Sequence, residues 1–204
     1  MLFILTGNVQ IGKSRWLERL ADDLFRLGVT CYGVIAPGIW VESNTNAAND
    51  QGYEKLGINN LLLPDNVTVP FAQRADIARA NGTYADLSQA GRVGLGWHID
   101  DAAIARVNEH LSSIEKRAED DRRRKLLVID ELGRLELDHE SGLVEAMRLL
   151  RNGPCAGIDD ALVVVRNVFA DKVAALFSSI WGETMYIAPC KRDYLILKNH
   201  LAGA

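Results

Sequence analysis

The sequence predicts an α/β fold, three layers around a mostly parallel central sheet with a small β-rich insertion, and three observations carry that expectation. A short apolar run, Leu2-Phe3-Ile4-Leu5, leads through a glycine loop into an amphipathic stretch. A second apolar run, Tyr32-Gly33-Val34-Ile35-Ala36, follows at the spacing of a strand-helix-strand unit. The same alternation resumes from Leu126 onward. Strands alternating with helices in this way build parallel sheets.

Taken in order, residues 2–5 form the first strand. From Ser14 onward Leu17, Leu20, Leu24 and Leu27 recur at helical spacing, and Gly28 is the expected stop, where a left-handed residue is needed. The strand at 32–36 closes at Pro37-Gly38. From about 38 to 96 the composition turns to Gly, Asn, Asp and Thr, with short stretches such as Leu61-Leu62-Leu63-Pro64 and Val67-Thr68-Val69-Pro70-Phe71. Short hairpins are expected there, as a β-rich insertion within one domain spanning 1–204, because a structureless loop of that length is unusual in a compact domain. Asp100 or Asp101 can cap a helix whose Ile104, Val107, Leu111 and Ile114 make one apolar stripe. The charge run at 115–125 reads as a solvated connection. Leu126-Leu127-Val128-Ile129 has the character of a strand buried on both faces. Leu143, Met147 and Leu150 then imply a helix, 161–165 a strand, 168–177 a helix, 185–188 a strand and 193–201 a final helix.

Composition narrows the function classes. The chain has 204 residues, 48% hydrophobic and 25% charged, which fits an ordinary globular domain with a sizeable core. A net charge of -4 supplies no general attraction to phosphate backbones or anionic lipid, so neither nucleic acid nor a membrane is an expected partner. No apolar run approaches the roughly 18 residues of a membrane span, and residues 1–5 lack the features of a signal peptide, so a cytoplasmic address is expected. Cys31, Cys155 and Cys190 are far apart and read as reduced thiols. His98, His110, His139 and His200 lack metal-ligand spacing.

The chemistry concentrates in two segments. Gly7-Asn8-Val9-Gln10-Ile11-Gly12-Lys13-Ser14 fits the P-loop pattern Gly-x-x-x-x-Gly-Lys-Ser, in which glycines allow the tight turn and backbone N–H groups converge on phosphates at a helix N-terminus. These eight residues are the candidate nucleotide-binding set. Lys13 would reach the β- and γ-phosphates and the Ser14 hydroxyl would ligate Mg2+. A P-loop also needs an acid near the metal at the end of a neighbouring buried strand. Asp130 is the candidate, with Glu131 placed to polarise a water. The fold expectation sharpens to a P-loop NTPase. Its expected reaction is Mg2+-dependent hydrolysis of an ATP- or GTP-type nucleoside triphosphate. A kinase passing phosphate to an acceptor near 38–96, or a nucleotide-dependent switch, are the alternatives.

Three further residues carry two readings each. Arg166 follows an apolar strand and would emerge on the phosphate edge of a parallel sheet, where it senses γ-phosphate charge or stands as a solvated arginine. Cys190-Lys191-Arg192-Asp193 nearly spells the guanine-reading Asn-Lys-x-Asp, making Arg192 a nucleotide-binding candidate, yet Cys cannot supply the amide of Asn. Arg192 and Asp193 as helix-start residues is the plainer reading. Trp97, flanked by Gly94 and Gly96, stacks on a base or anchors packing.

With the P-loop, the segment Val128-Ile129-Asp130-Glu131-Leu132-Gly133-Arg134-Leu135-Glu136-Leu137 and the late Lys191-Arg192-Asp193, the chain resembles the THEP-type nucleoside-triphosphatases of archaea, bacteria and eukaryotes. The resemblance covers the chain in outline and implies a P-loop α/β fold with slow, Mg2+-dependent hydrolysis of several nucleoside triphosphates. Arg134 stands where that family usually has Lys, and Lys191 where it usually has Asn.

Overall fold

A computed structural model describes residues 1–45, 48–49 and 51–203. Its elements, in chain order, are β1 (Leu2–Leu5), α1 (Lys13–Arg26), β2 (Val29–Ile35), β3 (Gly38–Glu42), β4 (Tyr53–Leu63), β5 (Val67–Arg74), α2 (Ala75–Ala80), α3 (Gln89–Arg92), β6 (Trp97–Ile99), α4 (Asp101–Ser112), α5 (Ile114–Glu119), β7 (Arg124–Ile129), α6 (Arg134–His139), α7 (Val144–Asn152), β8 (Ile158–Val164), α8 (Asn167–Trp181), β9 (Thr184–Ile187) and α9 (Lys191–Ala202).

Among the described residues one sheet joins these strands in the order β6-β5-β4-β2-β7-β8-β1-β9, with β3 beside β4. The half from β2 to β9 is parallel, and every strand pair from β2–β4 outward is antiparallel. The fold is therefore the expected α/β arrangement. The strands within 38–96 do not stand apart from it. They continue the main sheet, because β4 takes up the free edge of β2 at Leu61, Leu62 and Leu63. Where β2 ends at Ile35, β3 takes over the same edge of β4.

The parallel strands β1, β2, β7 and β8 are buried almost throughout because helices cover both faces. On one face α1 packs Leu17, Leu20 and Leu24 against Phe3, Leu5 and Val128, with α9 beside it through Leu197 and Leu201. On the other, α4, α7 and α8 bury Val107, Leu111, Met147 and Phe177 against Ile4, Val34 and Val163. Each such large apolar side chain contributes about 1.5–3 kcal/mol when fully removed from water. Leu27 does not share this burial: α1 ends at Arg26 and Leu27 caps it half-exposed, with left-handed Gly28 next.

Two readings are refined. Asp100 is the residue that caps α4, its carboxylate accepting the Ala102 N–H at 2.9 Å. The charge run is structured: it holds α5, then Asp121, whose carboxylate accepts the Thr30 hydroxyl at 2.7 Å and the Arg123 guanidinium, then Lys125, which is buried in β7. No described helix is long and apolar enough to cross a membrane.

Candidate functional site

In a parallel sheet all strands end on one edge, so the loops after β1, β7 and β8 meet there. The loop after β1 runs through Gly7 (φ +136°), Gln10 (φ +62°) and Gly12 (φ +89°) into the first turn of α1. A side chain at Gly7 would lie 2.5 Å from Ile11 Cδ1, and left-handed Gly12 is the helix N-cap. Both glycines are thus required by the path of the loop. Lys13 spans it from inside, Nζ donating to Gly7 O (3.1 Å) and Asn8 O (2.7 Å). Its pKa is lowered, chiefly by burial, with Arg166 and Lys55 acting the same way and Glu131 and Asp130 opposing.

At the tip of β7, Asp130 is buried and Glu131 is exposed in a left-handed turn (φ +61°). Asp130 Oδ2 accepts the Ala36 N–H at 2.9 Å, and Oδ1 is buried with no partner among the described residues. Burial first, and the charge of Glu131 second, push this carboxyl up to about 7; the Ala36 N–H and the Ser14 hydroxyl act in the opposite direction. Glu131 Oε1 lies 3.8 Å from Lys55 Nζ, a lysine of β4. Beyond them Glu136 ties the loop to α6. Its buried carboxylate accepts the Gly133 N–H through Oε2 and the Leu143 N–H through Oε1, each at 2.9 Å. Arg166, the N-cap residue of α8, leaves the tip of β8, the strand between β1 and β7. Thr6 Oγ1 to Asn167 Oδ1 at 2.8 Å fastens the loop's beginning to the same helix start.

One cavity of about 1050 Å3 gathers Val9, Gln10, Ile11, Gly12, Lys13, Ser14, Asp130, Glu131 and Arg166 along its walls. Trp97 lines it too, with Lys55 Nζ 5.5 Å over its ring. Arg192 does not: it is exposed on the first turn of α9, which Trp16 Nε1 ties to α1 through Cys190 O at 3.3 Å. Asp193 serves as a helix-start residue, accepting the Ala188 N–H at 2.8 Å. Sequence reasoning missed Lys55, Asn60, Trp40 and Phe71, which line the cavity from the antiparallel half of the sheet. The available signal was a polar residue, Asn60, directly before the apolar run Leu61-Leu62-Leu63.

Among solved structures, one described as the solution structure of a human cancer-related nucleoside triphosphatase matches 99% of this chain and 95% of that chain, at TM-score 0.58 and 16% sequence identity. That likeness establishes the fold. No family model matches the sequence, and no curated protein does. What the two chains share is an α/β architecture, here built on a large sheet whose half from β2 to β9 is parallel.

Among the described residues no cluster of three or more His, Cys, Asp or Glu side chains is arranged to hold a metal by itself. Mg2+ asks for less, since it commonly takes one or two carboxylates and completes its shell with waters and phosphate oxygens. The unpartnered Asp130 Oδ1 beside the Ser14 hydroxyl fits that requirement.

Proposed function

We propose that the chain is a Mg2+-dependent nucleoside-triphosphatase of the THEP type, acting on ATP- or GTP-type nucleotides. The observation that carries this reading is the convergence of the glycine loop, Lys13, Ser14, Asp130, Glu131 and Arg166 on a single cavity. The loop N–H groups of 7–14 hold the phosphates, and Lys13 neutralises charge on the β- and γ-phosphates. Ser14 and Asp130 would hold Mg2+, which supplies further neutralisation of the phosphate oxygens when bound. Glu131 orients a water and takes its proton as the water oxygen bonds to the γ-phosphorus and the bond to the bridging oxygen breaks. Arg166, between loop and acid, stabilises the charge that develops on the transferring group.

Phosphate release from ATP, GTP and CTP with Mg2+ tests the proposal on three proteins prepared alike. Lys13→Ala is expected to weaken triphosphate binding, and Glu131→Gln to retain binding while losing turnover. Full hydrolysis by Glu131→Gln would remove Glu131 from the mechanism.

A second reading, transfer to an acceptor, draws on the extension of the cavity beyond Glu131 toward β4. The basic residues Arg122, Arg123, Arg124 and Lys125 of the charge run give it no lid. Arg124 lies at the other end of β7, bonded to Asp160 (3.1 Å) and to His200 O (2.7 Å). A compound that accelerates ADP formation and itself becomes phosphorylated would decide for transfer.

A further inference from the structure

The cavity is longer than the nucleotide reading needs. The phosphate loop follows β1, and four inter-strand steps (β1 to β8, β7, β2 and β4) separate it from Asn60. At the usual spacing of about 4.8 Å this is about 19 Å across the sheet. On the proposed triphosphatase reading, Glu131 faces the γ-phosphate, which is the terminal group of the nucleotide. No part of the nucleotide then extends past Glu131 toward β4. What lies beyond has its own chemistry: Trp40, Phe71 and Trp97 supply aromatic walls, and Lys55 stands at the junction between Trp97 and Glu131. Asn60 is 2% exposed, lines the cavity, and has its Nδ2 without a hydrogen-bond partner among the described residues. Buried polar groups are satisfied in the great majority of cases, so a donor held unpaired on a cavity wall marks where a ligand's acceptor belongs.

We propose that this outer compartment binds a second small molecule, a planar heteroaromatic compound that stacks on the aromatic walls and presents a carbonyl oxygen to Asn60 Nδ2. The aromatic faces select for flatness, and the amide selects for an acceptor at the deep end. The occupant sits against Glu131, so it shares the γ-phosphate side of the site with the nucleotide. The location rests on the nucleotide reading, while the recognition chemistry rests on the compartment itself.

The test uses uracil and lumazine as planar carbonyl probes and indole as a planar probe with no acceptor, titrated against the full chain by ligand-observed saturation-transfer NMR without nucleotide. The two carbonyl probes are expected to bind saturably. Asn60→Asp, which replaces the donor with an acceptor of the same shape, should weaken them about tenfold. Indole should bind more weakly than either and be indifferent to that change. Trp97→Ala, a change at the half-buried mouth that spares β4, should weaken all three. Absence of saturable carbonyl-probe binding, or equal affinities in wild type and a folded Asn60→Asp protein, would overturn the proposal. If Asn60→Asp fails to fold, unchanged affinities in Trp97→Ala would overturn it in the same way. Lys13→Ala separates the two readings, since it should abolish nucleotide turnover and leave uracil binding intact. Turnover with no probe binding refutes the compartment alone, and probe binding with no turnover in wild type refutes the triphosphatase alone.

Discussion

The Ala36 N–H meets Asp130 Oδ2 at 2.9 Å, so the residue just past β2 holds the acidic side chain just past its parallel neighbour β7. The contact fixes one carboxylate oxygen and leaves the other buried without a partner among the described residues.

A pH dependence of stability follows. Burial, then Glu131, raise the Asp130 carboxyl to about 7, whereas an ordinary one titrates near about 4. Between those values the folded chain keeps a proton that the unfolded chain has lost. The resulting stability is complete below about pH 4 and is lost as pH rises through about 7. Asp130→Asn removes this titration. In metal-free buffer its melting temperature, relative to wild type, is expected to be higher at about pH 8 than at about pH 5. A pH-independent difference between the two proteins, measured by calorimetry, would contradict the assignment.

Arg166→Ala is expected to lower kcat about 100-fold with little change in KM, the signature of an interaction made mainly in the transition state. Arg166→Lys should recover part of the loss, because it keeps the charge without the planar fork. Steady-state kinetics giving an unchanged kcat in Arg166→Ala would make it an ordinary solvated arginine.

Glu136 bridges Gly133 and Leu143, and burial raises its pKa. Glu136→Ala leaves two backbone donors without their acceptor and is expected to cost about 2 kcal/mol or more. Glu136→Gln keeps an acceptor oxygen and should fall between it and wild type. Urea unfolding measures the order, and equal midpoints for all three proteins would dismiss the bridge.

Sequence periodicity carried the parallel half of the fold because its strands are buried on both faces and so read as unbroken apolar runs, as Leu126 to Ile129 do. The candidates Asp130 and Glu131 stand out for a related reason, following directly on such a run, whereas Lys13 and Ser14 stand out through the Gly-x-x-x-x-Gly-Lys-Ser spacing. The antiparallel half was harder to read. In β4, Glu54, Lys55, Asn59 and Asn60 break the alternation, so the stretch reads as a short hairpin of an insertion and not as a continuation of the main sheet beside β2. Leu27 misled for the opposite reason, continuing a helical spacing past the point where Gly28 had already ended the helix.

Asp121 provides a further check on the charge run. Burial alone would raise its carboxyl, but hydrogen bonds from Arg123 and Thr30 hold it well below the usual carboxylate range. Asp121→Ala strands the buried Thr30 hydroxyl and is expected to destabilise the fold by about 1–3 kcal/mol. Pairing it with Thr30→Val should recover part of that loss. Additive losses in the double variant would show that the two side chains act independently.

The β4–β5 hairpin attaches to β2 through Leu61, Leu62 and Leu63. β1 and β7, the strands that lead into the glycine loop and into Asp130, take none of their backbone pairing from that hairpin. Changes within residues 53–74 therefore leave the ladders of β1 and β7 untouched. The seam at Leu61, Leu62 and Leu63 thus separates the wall of the cavity that carries Lys55 and Asn60 from the wall that carries Lys13 and Asp130.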